Sequence, residues 1–232
     1  LRGDLLLLAM SATLDAEPLA KMMSAPMISS RGRSYPVDIR YLPAPLSRNI
    51  RFEAAVCDLV VQAVSETRGG VLVFLPGEGE IRRVENLLKN RLPTECRVRP
   101  LFGAMDFVKQ RAAIAHQENG RKIVLATSIA ETSLTISDIC VVIDGGRARR
   151  ARFDMASGMS RLVTEPVSRA EAAHRAGRAG RVAKGVCYRM WTKGEEGALQ
   201  PYPPAEIEAA DLYGMALELA LWGAAPDDLA FL

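Results

Sequence analysis

The chain has 232 residues, 49% hydrophobic and 25% charged, with a net charge of +3, which excludes a collagenous or disordered chain and makes any nucleic-acid binding depend on local clusters. Its four cysteines, Cys57, Cys96, Cys140 and Cys187, form no C-x-x-C pair, and His116 and His174 are its two histidines, so a zinc site is not expected and the thiols read as buried, reduced and cytoplasmic. The apolar run Leu5–Ala9 is too short to cross a bilayer and lacks the flanks of a signal peptide.

That run opens the chain as a buried-type strand with nothing before it to pair, which predicts a piece of a longer protein. It ends in Met10-Ser11-Ala12-Thr13, small hydroxyl residues delivered where α/β proteins place polar groups at a ligand crevice, though a helix cap explains them equally well. Gly32 to Pro36 reads as a hinge, and Val37 to Leu42 alternates like a strand. From Arg51 a βα rhythm sets in. Arg51 to Arg68 is helical, with Val56, Leu59, Val60, Ala63 and Val64 on one side. Val71 to Leu75 is an apolar strand of the doubly buried kind, and Pro76 to Glu80 opens a helix carrying Ile81, Val84, Leu87 and Leu88. Val98 to Phe102, a helix near Asp106 to His116, Lys122 to Ala126 and Ile139 to Ile143 repeat the pattern. Such alternation predicts a doubly wound parallel sheet with right-handed crossovers.

Arg147 to Thr164 breaks the rhythm as a β-hairpin around Asp154-Met155-Ala156-Ser157-Gly158, and its five arginines either brace a nucleic-acid strand or keep an exposed edge soluble. Then comes Ser168 to Arg181, the stretch on which function turns. Ser168 and Glu171 form a capping box that starts a helix, along which Arg175, Arg178 and Arg181 recur every three residues. Only Ala and Gly separate them. Three guanidinium forks on a low-relief surface suit a polyphosphate, whereas a solvated basic helix would have little use for Gly177 and Gly180. Gly185 to Trp191 is a last strand, Pro201-Tyr202-Pro203-Pro204 a linker, and Leu212 to Trp222 an apolar helix.

Four segments carry a family pattern: Ser11-Ala12-Thr13, Phe74-Leu75-Pro76-Gly77, Ala126 through Ile136, and Arg175 through Arg181. They resemble motifs III, IV, V and VI of superfamily 2 helicases of the DEAH/RHA type. The Gly32-Arg33-Ser34-Tyr35-Pro36-Val37 hinge and Ala151-Arg152-Phe153-Asp154 resemble the bacterial HrpB helicases more narrowly. The resemblance implies a RecA-like doubly wound sheet with helices on both faces and an inserted hairpin. Residues 1–33 would be the tail of a first RecA-like domain, 34–196 the second, and 197–232 the start of a winged-helix domain. It departs from the family at His174 (usually Gln), at Ser128 (usually Asn), and at Ala113, near where related enzymes place an aromatic over the nucleotide base.

No G-x-x-x-x-G-K-[ST] loop and no D-E-x-H box occurs in the sequence, so the resemblance implies that ATP, or another nucleoside triphosphate, and Mg²⁺ are held mainly by the first domain. The fragment alone is expected to be inactive. Arg178 and Arg181 match arginine fingers, with His174 beside the attacking water or γ-phosphate. Asp138 and Thr135 are candidates for ribose or phosphate contacts. Gly77, Thr127 and Ser128 would grip the backbone of single-stranded nucleic acid, RNA ahead of DNA, and Ser11, Thr13 and Ser133 would couple nucleotide state between domains. No resident metal site and no membrane are expected. The other reading is a non-catalytic nucleic-acid-binding or partner-docking module that keeps a helicase-like shape.

Overall fold

The computed structural model describes residues 6–10, 16–29, 34–131 and 136–223. By contacts the chain divides into two units, Arg33–Leu212 and a smaller one made of Leu1–Gly32 with Tyr213–Leu232. In the smaller unit, helix α1 spans Ala16–Met22 and a last helix, named α8 below, spans Tyr213–Leu221. The expected strand Leu5–Ala9 is not seen over its described residues. Residues 6–10 carry no strand, and Leu6, Leu7 and Leu8 are largely exposed. A strand is stable only in a ladder, and this unit contains no partner strand among its described residues.

In the larger unit the elements follow as β1 (Val37–Tyr41), α2 (Phe52–Glu66), β2 (Gly70–Phe74), α3 (Glu78–Leu88), β3 (Cys96–Leu101), α4 (Phe107–Ile114), β4 (Arg121–Ala126), β5 (Ile139–Asp144), β6 (Arg147–Asp154), β7 (Met159–Pro166), α5 (Arg169–Gly177), β8 (Gly185–Arg189), α6 (Lys193–Glu196) and α7 (Glu206–Ala209). Single 3₁₀ turns at Ser128–Ala130 and Arg178–Gly180 complete it. The sequence rhythm predicts β1 to β8 and α2 to α4 to within about two residues; it does not predict α6 and α7. Six strands form one parallel sheet in the order β1-β8-β5-β2-β4-β3, and β6 and β7 pair antiparallel as a separate hairpin.

The central strands explain their composition. Every residue of β2 is buried, because α2 and α3 cover one face and α4 and α5 the other. Alternate residues therefore go to different cores: Val71, Val73 and Leu75 pack with Val56, Val60, Ile81 and Val84, whereas Leu72 and Phe74 pack with Ala113, Ala176 and Ala179. The edge strands differ. β3 leaves Arg97 and Arg99 exposed and carries Pro100, and β1 exposes Asp38 and Arg40, so neither edge offers a flat apolar ladder.

The sheet has two chemically distinct ends. At the carboxyl end the Leu75 N–H donates to Ala126 O, Thr127 to Leu101 O, Gly145 to Phe74 O and Met190 to Asp144 O, which aligns residues 75–77, 127 and 145–146. At the amino end Gly70 donates to Asp138 O and Gly185 to Pro36 O. Helix α5 starts beside Gly146, whose carbonyl accepts from Val167, and runs back to the turn where Gly180 O accepts from Tyr35.

Candidate functional site

The expected capping box is present. Ser168 Oγ accepts from the Glu171 N–H at 3.2 Å, and Glu171 Oε2 accepts from Ser168 N at 2.7 Å. The helix ends sooner than a run to Arg181 would require. It closes at Gly177 and tightens into the 3₁₀ turn Arg178–Gly180, so the three arginines do not share one face. Gly177 faces open space, but Gly180 serves the fold: a Cβ there would lie 2.5 Å from Tyr35 O.

Arg175 is a correction to the reading of three phosphate forks. It is 1% exposed, donates from Nε to Glu131 and from Nη1 to Asp144 Oδ1 at 2.9 Å and Arg147 O, and lies 4.9 Å from the centre of the Phe74 ring. Burial works against its charge, but Asp144 and Glu131 more than offset it and hold the guanidinium above its ordinary value. Its guanidinium is buried on these internal partners and is not offered to a ligand at the surface. Arg175 is an anchor.

Arg178 is recessed, 4% exposed, with Nη2 donating to the Glu131 main-chain carbonyl. Burial and then neighbouring Arg181 push its guanidinium down to about 10, so it stays charged at neutral pH. Arg181 is exposed. His174 lies within the field of both: burial, then Arg178, against the pull of Glu171, and then Arg181 push its imidazole below the ordinary range. His174, Arg178 and Arg181 thus feel one another's charge, and of the three Arg178 rests on the Glu131 carbonyl. Sequence reasoning did not single out Glu131 or Asp144. The one available signal was an acid ending an otherwise apolar strand.

At the carboxyl end of the sheet Gly77 caps α3 in extended conformation, and the side chain of Arg149 lies across it; a Cβ on Gly77 would be 2.6 Å from Arg149 Nη1. Thr127 and exposed Ser128 follow β4 at the same end, and Ser128 starts the turn that leads to Glu131. Asp138 sits at the opposite end with positive φ (72°), its carboxylate 2.6 Å from His116 Nδ1 and 3.9 Å from Lys122 Nζ. Thr135, Ser11, Thr13 and Ser133 lie outside the described residues. Ala113 is buried in the core at 2% exposure, so that position cannot face a nucleotide base.

Four of the five hairpin arginines have partners within the protein, and Arg147, Arg149 and Arg161 are exposed. Arg147 stacks on Phe52 at 4.3 Å, Arg149 reaches Glu80 at 3.4 Å, Arg150 pairs with Glu171 and Glu165, and Arg152 grips Glu165 with two bonds of 2.8 and 2.7 Å. Arg147, Arg149 and Arg150 fasten the hairpin to the body of the unit, while Arg152 ties its two strands together. An open cleft of about 1140 Å³ beside them, lined by Phe52, Trp191 and Tyr202, contains none of the candidate site residues. All four thiols are free; Cys57 and Cys187 are buried, while Cys96 and Cys140 are half-buried. Among the described residues no cluster of His, Cys, Asp and Glu could hold a metal ion, and no helix is long and apolar enough to cross a membrane.

The helicase conserved C-terminal domain model matches residues 53–183, more than half of the chain. The chain belongs to that family. It is 46% identical over 227 residues to the ATP-dependent RNA helicase HrpB of Escherichia coli strain K12, covering 96% of this chain and 28% of that protein. It is 37% identical over 232 residues to the pre-mRNA-splicing factor ATP-dependent RNA helicase prp22 of Schizosaccharomyces pombe, covering 96% and 20%. The crystal structure of the E. coli DExH-box NTPase HrpB superposes with a TM-score of 0.88 at 44% identity, covering 97% of this chain and 28% of that one. This helicase C-terminal domain therefore has the RecA-like fold, and the chain spans less than a third of the length of these relatives.

Proposed function

We propose that this chain works as the second RecA-like domain of an ATP-dependent RNA helicase of the HrpB kind, with arginine fingers at Arg178 and Arg181. The observation that carries this is the clustering of His174, Arg178 and Arg181 around a helix whose third arginine is locked inside the protein. ATP and Mg²⁺ would be held mainly by a first RecA-like domain, with residues 1–33 belonging to that domain, 34–196 forming the second and 197–232 beginning a winged helix. The protein would work in the cytoplasm.

In this reading Arg181 meets the γ-phosphoryl group directly. Arg178 joins it by exchanging the Glu131 carbonyl for a phosphate oxygen, a stronger acceptor for a charged donor. Both neutralise charge that grows in the transition state. His174 orients the attacking water, and Asp138 and Thr135 contact ribose or phosphate. Gly77, Thr127 and Ser128 hold the RNA backbone, which positions a strand without reading its sequence. Ser11, Thr13 and Ser133 pass nucleotide state between domains.

The test is steady-state hydrolysis by the full-length protein with Arg178→Ala and Arg181→Ala. Turnover is expected to fall by about 10³- to 10⁵-fold while ATP affinity changes little. Equal losses in affinity and turnover would reassign these arginines to ground-state binding. A full-length protein that hydrolyses nothing would be a docking module.

A further inference from the structure

The hairpin reaches two places at once. Successive residues of a strand face opposite sides, so Arg149 and Arg150 point in different directions from β6. Arg149 lies across Gly77 and Glu80 at the start of α3. Arg150 turns to α5: its Nη2 donates to both carboxylate oxygens of Glu171, at 2.5 and 2.6 Å, while Nη1 reaches Glu165 at 3.3 Å and Pro166 O at 3.4 Å. Glu165 is in turn gripped by Arg152. A continuous chain of charged contacts thus runs from β6 and β7 into the first turn of α5. The Arg150 and Glu171 side chains are only 18% and 14% exposed, so solvent screens this pair less than an ordinary surface pair.

Glu171 is also the carboxylate of the capping box, accepting from Ser168 N and Oγ. Burial works against its charge, but the Ser168 donors and then Arg150 together hold its carboxyl below the ordinary range. The cap does not need Arg150. If Arg150 is removed, Ser168 and Glu171 still close the helix start; what is lost is the ion pair between the first turn of that helix and the hairpin, while Arg175 still donates to Arg147 O farther along.

We propose that Arg150 is a positioning residue: through Glu171 it sets helix α5, with His174 on it and Arg178 and Arg181 in and just after the turn that follows, in register with the α3 start at Gly77. This rests on the finger reading above. An arginine finger shifted by about 1 Å forfeits up to about 10²-fold in rate, because transition-state contacts depend steeply on placement. Substrate affinity, set largely elsewhere, should hardly change.

The experiment compares Arg150→Gln, Arg178→Ala and the double variant in the full-length protein. It measures kcat and KM for ATP with saturating single-stranded RNA, with thermal unfolding recorded in parallel. Arg150→Gln is expected to lower kcat by about 10- to 100-fold with KM for ATP within about twofold. The double variant should lose less than the product of the two single losses, because Arg150 acts in part through Arg178. A double variant slower by the full Arg150→Gln factor overturns the proposal, and so does Arg150→Gln with wild-type kcat. If Arg178→Ala itself leaves kcat unchanged, the finger reading has failed, and this proposal with it. Should Arg150→Gln fail to fold, Arg150→Lys takes its place, since it keeps a charge for Glu171 without the fork that also spans to Glu165.

Discussion

Arg175→Met asks most directly what the arginine helix is anchored to. The substitution keeps side-chain length and the contact with Phe74 but deletes the charge shared by Glu131 and Asp144, which are 11% and 0% exposed. Breaking a buried pair from one side leaves an uncompensated charge, a loss of about 3–5 kcal/mol. With a urea slope near about 3 kcal/mol per molar, the unfolding midpoint of the chain should fall by roughly 1–2 M. The deficit should also depend on pH. In the wild type, burial outweighs the attraction of Arg175 and holds the Glu131 carboxyl above its ordinary value, and removing Arg175 raises it further. A carboxyl raised in the folded state favours folding below its unfolded value of about 4.3 and loses that contribution as pH rises through the folded value. The gap between variant and wild type should therefore narrow as pH falls from about 7.5 toward 4.5. Adding Glu131→Gln should recover part of the loss at neutral pH. A deficit below about 1 kcal/mol, or one flat with pH, would refute the buried anchor. Undisturbed stability with weakened nucleotide binding would restore Arg175 as a phosphate fork.

Two further outcomes are expected. His174→Gln in the full-length protein should abolish an acid limb of the pH–rate profile that the wild type shows below about 6.5, because protonation removes the imidazole's acceptor and this imidazole is held low; identical acid limbs in both proteins would make His174 a packing residue. The chain by itself should release no phosphate from ATP with saturating RNA, since its sequence has no phosphate loop or acidic box; turnover that disappears with Arg178→Ala would contradict this.

The parallel sheet was legible because β2, β4 and β5 are buried on both faces and read as unbroken apolar runs. The capping box was legible because it is a local signal four residues long. Arg175 was misread because spacing reports which residues are neighbours on a helix and not which of them faces the sheet. Its partners, Glu131 and Asp144, lie 44 and 31 residues away in sequence, beyond any local pattern. The same applies to the hairpin arginines, whose carboxylate partners come from α3, β7 and α5. Ala113 differs by one turn-angle only: its neighbours Ala112 and Ala115 are exposed while it points into the core. Residues 5–9 carry the composition of a core strand, but a strand also needs partners, and composition does not supply them.

The pairing of β1 with β8 has a consequence for how the domain is made. Val37 lies opposite Gly185, so the first strand of the sheet waits for the last before it has any partner. On a ribosome, nearly 150 residues must emerge in between, and until then β5 stands as an open border. Because β8 lies between β1 and β5, a nascent chain stopped short of Gly185 lacks not one strand of the sheet but two.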